Sequence, residues 1–416
     1  MLVSIFTPTH NPRYLLEAYE SIKNQSFDEW VIVTTDECIE LPLWKELCEG
    51  DARIKIYNNC VVKNNTYVGA LKKFACSKCT GDVFVELDHD DILTENCIEE
   101  VRKAFEDPEV GFVYSNSCNF TGDFQATKPY GSAWGWKVRP YNYKGHPLIE
   151  HVAFENTPAS VSRIWYCPNH VRAWRKDVYE KAGGHSDEMR VLDDQDLIAR
   201  TYLVTKFKKI DKCLYLYRIT GENTWLKYNS EIQNNVYRLY DNYIYQIVSK
   251  WATEKGLQKI DLGGRFSCPN GYKSVDLKDA DINCNLNERW PFEDNSVGVI
   301  RAHDILEHLK DPIHVMKEAH RVLVPGGYFM IMVPSTDGRG AYQDPTHISF
   351  WNQNSFFYYT RAEQAKYIDT PVRFQEMRIY STNPNKWCKD NYICYTIAHL
   401  IVLKDGGNRE PGLINI

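Results

Sequence analysis

The sequence has no apolar run of the roughly 18–20 residues needed to span a bilayer. Its opening stretch, Met1-Leu-Val-Ser-Ile-Phe-Thr-Pro, lacks the basic flank and cleavage site of a secretory signal and predicts a core strand. A surplus of positive charge is also missing: 49 Lys and Arg stand against 55 Asp and Glu, for a net charge of −6. That balance leaves no electrostatic footprint for nucleic acid. Nor do the cysteines suggest a disulfide framework. They number 13, an odd count, and they are scattered, which suits reduced thiols and a cytoplasmic location. Cys76-x-x-Cys79 has no second pair to complete a metal site and reads as buried helical surface. Internal repeats and low-complexity tracts are absent. What the chain does have is aromatic: 27 Tyr, 17 Phe and 11 Trp, 13% of its residues. Such a surplus calls for large cores or for flat surfaces that stack on sugars or bases.

At roughly 100–200 residues per domain, the length predicts two or three domains. Short β-rich runs at Leu2–Phe6, Val31–Thr35, Arg53–Tyr57 and Asp82–Leu87 alternate with helical patterns, which implies a parallel α/β sheet. Leu15, Ala18, Tyr19 and Ile22 share one helix face, with Asn11 as the expected cap and Pro12 at the first position. Residues 114–165 break the rhythm, with an aromatic cluster from Tyr114 to Tyr143 interrupted by polar residues and Gly. Arg175–Ala182 and Asp193–Val204 then read as helices and Lys212–Arg218 as a strand. Apolar residues from Ile232 to Trp251 recur at helical spacing, and this helix is expected to bridge two domains. A second α/β series follows, with strands at Lys259–Leu262, Tyr272–Asp276, Val297–Ala302 and Tyr328–Val333 and a helix over Asp311–Val322. The expected division is 1–230, a bridge over 231–256, and 257–416.

The densest chemistry in the first half is Asp88-His89-Asp90-Asp91, directly after the fourth strand. Carboxylates at the carboxyl end of a parallel strand lie where open α/β sheets bind ligands. Packed this closely they repel one another unless a cation compensates, as Mg²⁺ or Mn²⁺ on a nucleotide diphosphate would. A solvated, helix-capping turn is the alternative. Thr7-Pro8-Thr9-His10-Asn11 follows the first strand and Asp36-Glu37 the second. Three polar loops on one edge favour a nucleotide pocket.

In order and spacing these stretches resemble family 2 glycosyltransferases of the GT-A fold. The resemblance rests on Phe6-Thr-Pro-Thr-His-Asn, Ser21-Ile-Lys-Asn-Gln-Ser-Phe-Asp-Glu-Trp-Val-Ile-Val and Leu87-Asp-His-Asp-Asp-Ile-Leu. It continues through Gly183-Gly-His-Ser-Asp-Glu, Leu192-Asp-Asp-Gln-Asp-Leu and Leu214-Tyr-Leu-Tyr-Arg, covering about the first 225 residues. It implies that Asp88 and Asp90, with Asp91 close by, hold metal and ribose, with His89 beside them. It further implies that Pro8, Thr9, His10, Asp36 and Glu37 line the base and ribose pocket and that Arg218 lies near the diphosphate. Asp194 falls at the position of the catalytic base, preceded by Asp193 where Glu is more usual. A carboxylate base and one in-line attack predict inversion at the anomeric carbon. The partners implied are a nucleoside-diphosphate sugar and a glycan or glycolipid acceptor, with Mn²⁺ or Mg²⁺ as cofactor. Two departures stand out. Thr220 replaces a His frequent in the family, with Asn223 as the nearest substitute, and Thr35-Asp-Glu-Cys replaces an Asp-Asp-Gly-Ser-like run. In the aromatic segment, Trp134 and Trp136 are the expected acceptor platform. A nucleotidyltransferase would combine the same sheet and carboxylates, but needs a Gly-rich loop after the first strand. Thr7–Arg13 contains no Gly.

From about residue 257 the chain resembles class I S-adenosylmethionine-dependent methyltransferases, with a Rossmann-like fold. The residues that carry this are Ile260-Asp-Leu-Gly-Gly, Ser274-Val-Asp-Leu, Trp290-Pro-Phe-Glu-Asp-Asn-Ser-Val, Ile305-Leu-Glu-His-Leu and Glu318-Ala-His-Arg-Val-Leu-Val-Pro-Gly-Gly. The resemblance implies S-adenosylmethionine at Asp261, Gly263, Gly264, Asp276 and Asn285, with His347 as a candidate methyl-transfer base. The glycine turn is short, and the 14 residues between Asp261 and Asp276 are few for a crossover helix. Two readings of this half therefore stand side by side. One is an O-methyltransferase acting on the product of the first half. The other is a degenerate module that binds acceptor or holds a dimer.

Overall fold

A computed structural model describes residues 1–34, 39, 41–58, 67–131, 134–164 and 166–405. They form two compact units, Met1–Ile247 and Val248–Ile416, and the division falls inside the helix Asn229–Glu254. No helix among the described residues is long and apolar enough to cross a membrane.

The first unit is built on strands β1 (Val3–Pro8), β2 (Glu29–Thr34), β3 (Ile54–Asn58), β4 (Val83–Glu86), β5 (Ile92–Leu93), β6 (Val110–Thr121), β7 (Gln125–Ala126), β8 (Lys137–Tyr143), β9 (His146–Val152), β10 (Arg172–Arg175) and β11 (Lys206–Arg218). The path β3-β2-β1-β4 is parallel, and β10, antiparallel to both neighbours, joins it to β6, β11 and β5. Apolar residues run almost without a break along β1, β2 and β4 because both faces are covered. Val3, Ile5, Trp30, Ile32, Val83 and Val85 pack into one core, while Phe6, Val31, Val33 and Phe84 pack into the other. Across these strands, Trp30 Nε1 donates to Thr7 Oγ1 (2.8 Å), and Thr7 Oγ1 donates to the Leu87 carbonyl (2.7 Å). This buried relay fixes where the chain leaves β4 and enters the Asp88–Asp91 turn.

Several boundaries differ from the sequence reading. The first helix begins at Leu15, not Pro12. Asn11 Oδ1 accepts from the Arg13 amide (3.0 Å) and so shapes a turn before the helix instead of capping it. The last strand of the unit starts at Lys206. The aromatic segment contains the antiparallel ribbon β8–β9. Its half-exposed residues give no clean period in sequence, because the pairing is tertiary. Cys76 and Cys79 are free thiols buried in the helix Val68–Lys78 and at its C-cap, as expected.

The second unit has β12 (Gln258–Leu262), β13 (Lys273–Asp276), β14 (Ile282–Asn283), β15 (Val297–His303), β16 (Leu323–Pro334), β17 (Arg373–Thr382) and β18 (Tyr395–Leu403). Their spatial order is β14-β13-β12-β15-β16-β18-β17, and only β18 runs against its neighbours. This is the doubly wound order with the reversed strand β18 inserted between β16 and the edge strand β17. The helix Pro312–Val322 crosses from β15 to β16 and starts at Asp311, whose carboxylate accepts from the Ile313 and His314 amides. No helix lies between β12 and β13 or between β13 and β14.

Candidate functional site

The carboxyl ends of β1 and β4 and the first turn of the helix Asp193–Val204 converge on one cavity of about 680 Å³. Pro8, Thr9, His10, Asp88, His89, Asp90, Trp134 and Asp194 all line it, so most of the residues singled out from the sequence come together. Asp36 and Glu37 lie outside the described residues. The His10 and His89 rings meet edge to face at 5.3 Å. Burial, then His89, holds the His10 imidazole below its ordinary pKa.

The four-residue turn divides its carboxylates between two environments. Asp88 and Asp90 face the cavity, whereas Asp91, expected beside the metal, points into the protein. Asp91 accepts from the Tyr215 hydroxyl (2.7 Å) and the Arg218 amide (2.7 Å). Arg218 is likewise placed otherwise than expected. Its guanidinium lies beneath the turn, donating to the Asp90 carbonyl (2.8 Å) and to Glu17 (2.6 Å), and it stacks on Tyr14 and Phe120. It therefore braces the turn and does not line the cavity. Asn223 is also structural in part: it donates to the Arg218 carbonyl (2.9 Å) and accepts from the Thr220 amide (3.0 Å).

A buried ionic cluster that sequence reasoning missed sits behind these acids. Lys72 reaches from the helix Val68–Lys78 to Glu86, at the end of β4, and stands 3.5 Å from Asp88. Arg172, on β10, pairs with Asp194 (2.7 Å) and lies 4.0 Å from Glu86. His170 stacks on Tyr215 and brings Nε2 to 3.6 Å from Glu86. No local motif marks these residues, because each contributes from a different element.

The charge balance differs across the two acids that open the helix. Burial raises the Asp194 carboxyl, but Arg172 and Lys72 outweigh it and hold the group below its ordinary pKa. At Asp193, burial and Asp194 outweigh the pull of Lys72 and push the carboxyl up to about 7, and its Oδ2 is buried without a hydrogen bond. Gly69 is needed at the contact, since a Cβ there would meet the Ser186 carbonyl oxygen and lie 2.9 Å from Asp193 Oδ2. For Asp90, burial raises the carboxyl and Asp88 adds to it against the opposing pull of His89. Two cavity-facing oxygen ligands with charge left to neutralise fit a hard divalent cation. One donor atom from each of Glu86, Asp88 and His170 also lies within 4.8 Å of the others, although Lys72 already serves Glu86.

The tryptophans separate. Trp134 is half-buried on the cavity wall with Arg163 over its ring (4.9 Å). Trp136, expected beside it, is core: it is 8% exposed, stacks on Tyr166, and donates from Nε1 to the Tyr166 hydroxyl (2.9 Å). Aromatic packing with Phe154 and Tyr130 satisfies its ring better than water would.

In the second unit the expected cofactor residues do not form an open cradle. Gly263 has φ +75°, and a Cβ there would lie 2.9 Å from Ile305; one on Gly264 would lie 2.7 Å from Asp261 Oδ2. Asp261 is fully buried and paired with Arg301 (2.7 Å). No helix follows the turn, so no helix N-terminus faces a ligand there. Asp276 accepts from the Leu277 amide, and Asn285 bonds Asn287 and Glu288 within its own loop. His347 Nδ1 is bonded to the Ala341 carbonyl (3.0 Å).

Residues 4–165 match the family model of glycosyl transferase family 2, and residues 269–331 match a methyltransferase domain model. The chain thus carries a family 2 glycosyl transferase domain followed by a methyltransferase-type domain, whose match begins beyond the glycine turn. It is 23% identical to a chondroitin synthase of Escherichia coli over 234 residues, covering 54% of this chain and 30% of that relative. It is 45% identical over 40 residues to an uncharacterized methyltransferase of Schizosaccharomyces pombe, covering 10% of this chain and 14% of that one. Residues 1–349 of TarS from S. aureus superpose with a TM-score of 0.43 at 16% identity, covering 61% of this chain and 72% of that one. The same protein in complex with UDP gives 0.41 at 17% identity, covering 58% and 64%.

Arg172→Met removes the positive charge beside Asp194 and Glu86 while keeping much of the side chain's bulk. The Asp194 pKa is expected to rise, read by carbon NMR titration. Breaking the buried pair should cost about 3 kcal/mol or more in urea unfolding.

Proposed function

We propose that the first unit transfers a sugar, with inversion, from a nucleoside-diphosphate sugar to a glycan or glycolipid acceptor, and that it depends on Mn²⁺ or Mg²⁺. The observation that carries this reading is the meeting of Asp88, Asp90 and Asp194 around one cavity. The partial similarity to a chondroitin synthase supports a glycan-building role. In this reading Asp194 takes the proton of the acceptor hydroxyl as its oxygen attacks the anomeric carbon, and the bond to the diphosphate breaks on the opposite face. Arg172 keeps Asp194 ionised and aimed. Asp88 and Asp90 would hold the cation, which, when bound, neutralises the leaving diphosphate. Pro8, Thr9 and His10 wall the donor side; Asp36 and Glu37 keep the base and ribose roles the family resemblance implies. Trp134 offers its ring to the acceptor.

One observation favours a second assignment of the base. A general base works best with a pKa near the working pH, and Asp193, at about 7, meets that condition better than Asp194. The two assignments part in the pH profile. With Asp194 as base, kcat/KM holds down to below the ordinary carboxylate range and then falls as the carboxylate protonates. With Asp193 it falls already below about pH 7. Asp194→Asn is expected to abolish transfer and leave donor binding largely intact; the same result from Asp193→Asn alone, with Asp194→Asn active, would move the role to Asp193.

Asp90→Ala should remove metal-dependent transfer and hydrolysis of sugar nucleotides in assays with Mn²⁺. Full activity in this variant would overturn the metal assignment.

For the second unit, methyl transfer and a non-catalytic binding role remain the alternatives. The closed glycine turn favours the latter, and no step through S-adenosylmethionine is derived. Calorimetry of the full chain with S-adenosylmethionine is expected to give no heat; a saturable signal would restore the methyltransferase reading.

A further inference from the structure

We propose that Glu307, His308 and His347 form a binding site for a borderline divalent cation of the zinc type at the carboxyl edge of the second sheet. Glu307 and His308 belong to the short turn Leu306–His308 after β15, and His347 to the loop after β16, the parallel neighbour of β15. Open α/β sheets place their ligands at this edge. One donor atom from each of the three side chains lies within 4.8 Å of the other two.

The hydrogen bonds orient both rings for ligation. His347 Nδ1 lies 3.0 Å from the Ala341 carbonyl oxygen and His308 Nδ1 lies 3.2 Å from that of Thr346. A carbonyl only accepts, and Thr346 Oγ1, 3.1 Å from His308 Nδ1, gives its own proton to Asp344 Oδ1 (2.7 Å), so each Nδ1 is a donor and Nε2 is the nitrogen left to ligate. Metal-bound histidines are held in this way, with the second ring nitrogen donating to a backbone carbonyl.

The carboxyl oxygens around His347 Nε2 do not hydrogen-bond to it. Glu307 Oε1 and Asp344 Oδ2 each stand 3.9 Å from Nε2, too far for a hydrogen bond. Glu307 is 2% exposed, and its Oε2 is buried with no hydrogen-bond partner. His347 Nε2 and the carboxyl oxygens of Glu307 and Asp344 thus face one another across a gap that a cation would fill. The loop is pinned in place independently of any ion, because the Ile348 and Ser349 amides donate to the Glu307 carbonyl (2.8 and 3.0 Å). Two imidazoles and a carboxylate suit zinc better than magnesium or calcium. Three protein donors leave a fourth position, with Asp344 at the rim.

The test uses the full chain, stripped with a chelator and titrated with Zn²⁺ against a chromophoric competitor. A background carrying both Asp88→Ala and Asp90→Ala removes the cavity-facing carboxylates of the first unit. One equivalent is expected to bind, with affinity falling by ~10-fold or more in His347→Ala and in His308→Gln. Co²⁺ in place of Zn²⁺ should show visible absorption bands that both variants lose. His308 is partly exposed, so His308→Gln keeps the test decisive if His347→Ala fails to fold. Unchanged stoichiometry and affinity in a folded His308→Gln variant, or no Zn²⁺ bound by the parent, would overturn the site.

Discussion

The first unit depends on how two buried cations share the acids around them. Lys72 and Arg172, 6% and 3% exposed, face Glu86, Asp88, Asp193 and Asp194 from two elements that are remote in sequence. An ion pair of this kind adds little net stability over an apolar core, because desolvation offsets most of the attraction. Its consequence is geometric. Removing either cation would leave carboxylates buried without compensation, so the helix Val68–Lys78, the end of β4, β10 and the helix Asp193–Val204 are held in one arrangement. The compensation is also incomplete: with four acids against two cations, burial and then the neighbouring Asp194 raise the Asp193 carboxyl.

The Asp88–Asp91 turn shows how one short motif serves both structure and chemistry. Asp91 and Arg218 tie the turn to the end of β11, and the Trp30–Thr7–Leu87 relay fixes its start. With both ends anchored, Asp88 and Asp90 are presented to the cavity on a rigid support. Such rigidity matters where charge has to meet a ligand without reorganisation.

The second unit uses the same edge of a similar sheet, but its polar groups gather elsewhere. The turn after β12 is filled by Ile305 and Asp261, and no crossover helix follows it. After β15 and β16, Glu307 Oε2 is buried without a hydrogen bond and its other oxygen stands 3.9 Å from His347, while Asp261 Oδ2 at the turn is buried beside the Arg301 pair. A likeness of fold therefore says less about chemistry here than the placement of particular side chains does.

Much was legible in the sequence by itself: the alternation of strands and helices, the two α/β series, and the order of the motifs that meet at the cavity. These follow from local patterning, since apolar runs specify buried strands and polar loops must surface at their ends. The short spacing between Asp261 and Asp276 also foretold the missing helix. Other features were decided only by the tertiary structure. Asp90 and Asp91 are adjacent and chemically alike, yet one faces the cavity and the other the core. The difference is set by Tyr215 and Arg218, more than a hundred residues away. Trp134 and Trp136 part for the same reason, through Tyr166 and Phe154. The side-chain direction of a turn residue depends on which distant groups satisfy it, and a linear pattern records only neighbours.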